Sequence, residues 1–341
     1  MYQPQSYAVA LAFMILTMLC WGSWANTLKL APGYRFQLFY WDYVIGLILG
    51  SVAWGLTLGS SGTVGLPFLA DISNARPDCI LSALLGGIDF NVANLLLVAA
   101  IDVAGLAVAF PVGIGLALIV GAVSSYLLAP KGNPLMLFAG VALVVAAIVC
   151  DAAAYRAREA TKQSAGKRGI VLSLVAGLLM GTFYPFVSYA MSGGGTHDPD
   201  LPEHILGPYA TSFFFTIGVA LCAIPVNYLL MRKPLDGKAP VSMAGYFQAK
   251  PVWHLWGILG GVIWCTGATL NFVASRTTIV GPAVSYSIGQ GATMISAAWG
   301  VFIWREFAAA PRLAKQLLFC MFVLFLLGLT MIAIAPLYSV R

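Results

Sequence analysis

Along this chain apolar residues run in long unbroken stretches, and polar residues collect in short interruptions between them. A helix needs roughly 17 to 25 apolar residues to cross the hydrocarbon of a bilayer. Ten stretches of that kind can be drawn, at 7–25, 38–58, 79–100, 103–128, 135–150, 170–191, 207–231, 252–275, 279–304 and 317–337. Backbone polar groups in lipid must pair within their own segment, and the runs lack the alternation of barrel strands, so each stretch predicts a helix. The expected fold is an all-α polytopic membrane protein with ten transmembrane helices.

Composition sharpens the picture. Charged residues are 9% of the chain and hydrophobic ones 60%, whereas soluble domains are about one quarter charged. The first stretch has no basic start and ends in CWGSWAN instead of a small-residue cleavage site, so it is expected to stay as a helix. Six cysteines (Cys20, Cys79, Cys150, Cys222, Cys265, Cys320) fall in or at the ends of helices without CxxC or metal-ligand spacing, and are expected to be buried thiols.

The net charge of +6 comes without an aromatic-interleaved basic patch, so no nucleic-acid partner is expected. Its distribution reports orientation. Of the 18 Lys and Arg, 14 lie in the segments 26–37, 151–169, 232–251 and 305–316, and only Arg76, Lys131, Arg276 and Arg341 lie on the other side. The positive-inside rule then puts both termini outside and the basic loops inside.

The most basic linker, 156–168, leaves five apolar stretches on each side. An odd number per half inverts the second half relative to the first, which predicts repeats at 1–160 and 161–341 with a substrate site near the midplane between them. Internal similarity agrees. Leu85-Gly86-Gly87 aligns with Leu259-Gly260-Gly261, and at another offset Ile45-Gly46 aligns with Ile217-Gly218. GxxxG spacings at Gly46/Gly50, Gly177/Gly181 and Gly257/Gly261 predict close helix contacts.

CWGSWANTLKLAPGYRFQLFYWDYVIG, GTFYPFVSYAM and GPAVSYSIGQGATMISAAWGVFIWREF together resemble bacterial permeases of the drug/metabolite transporter superfamily. The similar branches are glucose/ribose porters, rhamnose–proton symporters and ureide permeases. The resemblance implies two inverted five-helix repeats with the third, fourth, eighth and ninth helices central. It also implies alternating access without ATP, often with proton coupling.

Ionisable groups at bilayer depth are costly and are functional candidates by default. Asp89, central in the third stretch, and Asp42, in the second, are the candidates for proton coupling; Asp42 also suits an anchor paired with Arg35 or Lys29. Asp102 and Asp151 stand at segment ends and read as loop charges, and His254 as isolated. Candidate substrate-binding residues are neutral: Trp21, Ser23 and Asn26 after the first helix, Asn91 and Asn94 on one face of the third, Tyr184 in the sixth, Trp264 and Asn271 on one face of the eighth. In the ninth, Tyr286, Gln290 and Thr293 make an i, i+4, i+7 stripe. Aromatic faces beside amides and hydroxyls suit a small polar uncharged metabolite.

His197, Asp198, Asp200, Glu203 and His204 read as a polar loop rather than a metal site, and no HExxH, GxSxG or Walker A sequence is present. The expected function is secondary transport, proton-coupled import of a sugar first, with a ureide or nucleobase permease, or an exporter or exchanger, as alternatives. An intramembrane transferase ranks last. The expected partners are the substrate, protons and the bilayer, with no cofactor or metal and either a monomer or a dimer.

Overall fold

A computed structural model describes residues 1–104, 106–158, 167–195, 204–234 and 239–338. Residues 196–203, and with them His197, Asp198, Asp200 and Glu203, lie outside the described residues, as does 159–166 of the basic linker. The described residues contain nine helices long and apolar enough to cross a membrane. These are α1 (Tyr7–Ser23), α2 (Phe36–Leu56), α3 (Pro77–Ala104), α4 (Leu106–Leu128), α5 (Pro134–Arg158), α6 (Lys167–Ser192), α7 (Pro208–Arg232), α8 (Pro251–Ser275) and α10 (Arg312–Ile334). The remaining apolar stretch is a broken helix: α9a (Pro282–Gly289), then α9b (Ala292–Ala298), then a π turn over Trp299–Ile303. The protein is an all-α polytopic membrane protein.

Local chemistry explains the boundaries. Pro opens α3, α5, α7, α8 and α9a, where its missing N–H costs nothing. The Ser6 hydroxyl accepts the Val9 N–H at the start of α1. Large apolar side chains such as Leu16, Leu49, Leu127, Val171, Leu255 and Phe319 remain exposed along the helices, as a lipid-facing surface requires. Cys320 is exposed too, contrary to the buried thiol expected.

Met1 and Ala335 lie on one face. The Met1 amino group donates to the Val64 carbonyl beyond α2, and Asn133, before α5, donates its N–H to the Ala335 carbonyl beyond α10. The opposite face carries Arg158, Arg232 and Lys250 at the ends of α5, α7 and α8. These are called the terminal face and the basic face below.

The helix pairing has an internal regularity. α2 packs on α8 as α7 does on α3; α1 packs on α8 as α6 does on α3; α1 packs on α9a and α9b as α6 does on α4; and α5 packs on α10. Glycines set the closest of these approaches. A Cβ at Gly46 would stand 2.1 Å from the Ile258 carbonyl oxygen, and one at Gly261 2.0 Å from that of Tyr43. In α7 and α3, a Cβ at Gly218 would stand 2.1 Å from the Leu84 oxygen, and one at Gly87 2.0 Å from that of Phe215. The offsets that align the two halves carry Leu84 onto Ile258 and Tyr43 onto Phe215, so both crossings use the same contacts. The GxxxG partners Gly50, Gly177, Gly181 and Gly257 likewise abut Cys265, Gly113, Val120 and Asp42 on neighbouring helices.

Asp151 departs from its sequence reading as a solvated loop charge. It is 4% exposed inside α5, and its Oδ1 has no hydrogen-bond partner among the described residues.

Candidate functional site

Between the two halves lies a cavity of about 380 Å³. Its walls come from Trp21 and Trp24 at the end of α1, Phe90 and Asn94 of α3, Met180 and Phe183 of α6, Trp264 of α8, and Gln290, Thr293 and Ser296 around the break in the ninth segment. Trp264 is the central wall. It stacks on Trp21 with ring centroids 5.7 Å apart and an 18° tilt, and meets Phe90 at 4.5 Å. The offset that aligns Leu85 with Leu259 also brings Phe90 onto Trp264, and these two rings touch in the cavity wall.

The break supplies the polar side. Gly291, Thr293 and Met294 donate their N–H groups to the carbonyls of Ile288, Gln290 and Gly291, three residues back, in place of the α-helical ladder. Gly289 and Gly291 permit it: a Cβ would meet the Trp21 ring at 2.7 Å in the first case and the Met18 sulfur at 2.6 Å in the second. The Gln290 and Thr293 side chains line the cavity without a hydrogen bond to any other described residue.

Toward the terminal face, the fully buried Tyr184, Phe215, Phe272 and Tyr286 pack behind the wall residues Phe183 and Trp264. Toward the basic face, Ala25 and Ser296 continue into a vestibule of about 250 Å³ lined by Asn26, Lys29, Tyr155, Arg158 and Glu306. Glu306 spans its mouth, 2.7 Å from Lys29 Nζ and 3.2 Å from Arg158 Nη1. Burial pulls this carboxyl upward, but the hydrogen bonds and charges of Lys29 and Arg158 outweigh it and hold Glu306 below its ordinary range.

The family model described as ureide permease matches residues 39–168 and 163–335. The chain belongs to the ureide permease family. Two similar proteins are Ureide permease 2 and Ureide permease 1 of Arabidopsis thaliana, each 24% identical; they cover 96% and 97% of this chain and 96% and 98% of their own lengths. A solved structure described as "Crystal structure of protein" superposes with a TM-score of 0.63 at 15% identity, over 96% of both chains, and shares the fold. Members of this family are membrane transporters of small metabolites and not enzymes.

For this family member the cavity takes five of the expected binding residues: Trp21, Asn94, Trp264, Gln290 and Thr293. The others are engaged elsewhere. Ser23 and Asn26 accept the indole N–H of Trp299 and Trp304, at 2.8 and 2.6 Å. Tyr184 donates to Asn271 Oδ1 at 2.5 Å, and Asn271 donates to the Ser285 carbonyl at 2.9 Å. The Tyr286 hydroxyl bridges the Ala117 and Met180 carbonyls. The stripe read through Tyr286, Gln290 and Thr293 is therefore interrupted, because α9a ends before Gln290 and Tyr286 turns toward α4 and α6.

Asn91 lies behind the cavity wall, where it accepts the Tyr40 hydroxyl at 2.7 Å. That hydroxyl also receives Asn94 Nδ2 at 3.3 Å. Tyr40 is thus a supporting residue that the sequence reading missed, as it missed Phe90 and Phe183. Apolar aromatics in a lipid-spanning helix carry no local sign of facing a cavity.

Neither carboxylate lines the cavity. Asp89 accepts the Thr182 hydroxyl at 2.8 Å on the contact between α3 and α6. Asp42 does not pair with Arg35 or Lys29. Arg35 turns to the Ala239 carbonyl and Lys29 to Glu306, while Asp42 is bonded by Tyr34, Tyr246 and His254. His254, which reads as isolated along the chain, is 3.0 Å from both Asp42 oxygens.

Proposed function

We propose that this protein is a secondary transporter of a ureide or a similar flat, amide-rich metabolite, working by alternating access in a bacterial inner membrane. The observation that carries the reading is the cavity itself. Trp21, Phe90 and Trp264 offer flat apolar walls, and Asn94, Gln290 and Thr293 offer donors and acceptors at the edge. A planar ureido ligand can lay its face against these rings while its N–H and C=O groups reach the amides and hydroxyl at the edge. The relatives' name favours the ureide over the sugar expected from the sequence.

Residues 1–160 and 161–341 are read as two inverted repeats of the drug/metabolite transporter kind. The matched glycine crossings and the pairing of Phe90 with Trp264 support this. The positive-inside rule makes the basic face cytoplasmic in this reading. Asp89, which accepts the Thr182 hydroxyl and no other side-chain hydrogen bond among the described residues, is the first candidate for coupling transport to protons.

A ligand that binds only the folded state stabilises it by RT ln(1 + [L]/Kd) and so raises its melting temperature. Purified protein is expected to be stabilised by ureides more than by sugars or nucleobases in a thermal-shift screen. Stabilisation by sugars alone overturns the substrate class, and stabilisation by no class of ligand overturns the binding cavity.

A further inference from the structure

A second polar cluster lies apart from the cavity, at the basic-face end of the α2–α8 crossing. Asp42 is 1% exposed there. Its Oδ2 accepts the Tyr34 hydroxyl at 2.8 Å, and its Oδ1 accepts that of Tyr246 at 2.6 Å. The Nδ1 of His254 faces both oxygens at 3.0 Å, a position in which it donates its hydrogen to an ionised carboxylate. Three elements supply these donors: the loop before α2, the short helix Met243–Phe247, and α8. Gly257 leaves the room, since a Cβ there would come 2.4 Å from that of Asp42. Tyr246 packs edge-on to the imidazole at 4.6 Å, and Tyr34 stacks on Trp253 at 5.5 Å.

Charge decides what this arrangement can do. A buried carboxylate with neutral donors is a net anion in a low-dielectric setting, and protonating the imidazole makes the cluster neutral while strengthening one of its bonds. Among the described residues no other cation is bonded to the pair. Arg35 turns to the Ala239 carbonyl, Lys250 lies over the Trp253 ring at 5.3 Å, Arg232 of α7 is bonded to the Tyr228 hydroxyl, and Lys29 is bonded to Glu306. The His254 side chain is 23% exposed, so a proton has access from the basic face. Histidine is the side chain suited to such exchange near neutral pH.

We propose that Asp42 and His254 form a proton-binding site that latches the Met243–Phe247 helix onto α2 and α8. With the proton bound, the segment is held down. Without it, the segment loosens and the α2–α8 pair is freed at its basic-face end. The consequence for transport rests on the transporter reading above. Phe36 and Trp264, carried by these two helices, line the cavity, so proton occupancy at the latch biases the movement of its walls.

Hydrogen exchange on the full-length protein without substrate tests the latch. The readout is protection of the amides in residues 242–249, corrected for the intrinsic pH dependence of exchange. Protection is expected to fall about fivefold as the pH is raised from ~5.5 to ~8, because a charge-assisted hydrogen bond exceeds a neutral one by about 1 kcal/mol. His254→Gln is expected to flatten that profile. Tyr246→Phe, which keeps the ring and removes one bond to Asp42, is expected to lower protection at every pH while the slope remains. A flat profile in the unaltered protein overturns the proposal, and so does an unchanged slope in His254→Gln. If His254→Gln does not fold, unchanged protection in Tyr246→Phe overturns it instead. Ureide stabilisation measured on the same preparation separates failure of the latch from failure of the transporter reading.

Discussion

The α2–α8 and α3–α7 crossings are built alike and finished differently. In both, a pair of glycines brings backbone against backbone at matching positions. The first ends at the basic face in Asp42 and His254. The offsets that align the halves put Phe214 and Ile80 at the corresponding places of the second, inside an apolar cluster with Phe68, Phe213 and Tyr209 at the terminal face. Packing needs are met by the glycines in both cases and do not require the carboxylate and imidazole. The shared part of the design concerns how the helices approach, and the unshared part concerns what one end can sense.

The largest expected effects test the shared part. Gly261→Val and Gly87→Val each drive a side chain into a facing carbonyl, and overpacking of this kind costs about 1 to 3 kcal/mol or more. Thermal unfolding should drop by a similar amount for both. Gly115→Ala, with nothing within 4 Å of the added Cβ, is the control and should be neutral or slightly stabilising. A large loss at only one crossing would break the equivalence.

Next in size are the two facing aromatics. Trp264→Ala and Phe90→Ala should each weaken ureide binding by about 1 to 3 kcal/mol, roughly 5-fold to 150-fold, with the larger loss at Trp264, which also stacks on Trp21. Isothermal titration would resolve it. Equal affinity in both variants and the unaltered protein would move the binding site away from the symmetric pair.

The carboxylates of the first half lack counterparts in the second, since Asp89 aligns with Ile263. In proteoliposomes, Asp89→Asn should abolish uphill uptake driven by a pH gradient while counterflow exchange persists. Intact uphill uptake would pass the coupling role to Asp42. Asp42→Asn, by contrast, should also lower thermal stability, because three donors lose a charged acceptor.

The smallest effect concerns the vestibule. Glu306 sits below its ordinary value in the folded protein, so its contribution is complete above that value and is lost as the pH falls through the depressed one. Glu306→Gln should remove this acid-side loss of stability and change little at neutral pH, since the bridges are partly exposed. An unchanged acid limb in the variant would show that Lys29 and Arg158 are not its cause.

Much of this was legible in the chain. Unbroken hydropathy located every membrane segment to within a few residues, apart from the tail of α5, because in lipid the length and apolarity of a segment decide whether it spans. Gly46 and Gly261 were legible as positions of close approach from their GxxxG spacing, whereas Gly87 and Gly218 stood out only as positions matched between the halves, and the crossing of α3 with α7 shows their packing role. Trp21, Asn94, Trp264, Gln290 and Thr293 were singled out as polar or amphipathic groups at depth, and the tertiary structure gathers them around one cavity. The halt of α9a before Gln290 was not legible, because hydropathy continues through it and only the packing of Gly289 on Trp21 and Gly291 on Met18 reveals why the backbone tightens. Nor were the partners of Asp42 or the burial of Asp151. A sequence fixes the face of its own helix on which a side chain lies, but the residue it meets depends on which other helix arrives there and at what height. His254 stands more than two hundred positions from Asp42 along the chain, and only the α2–α8 crossing brings the imidazole to the carboxylate.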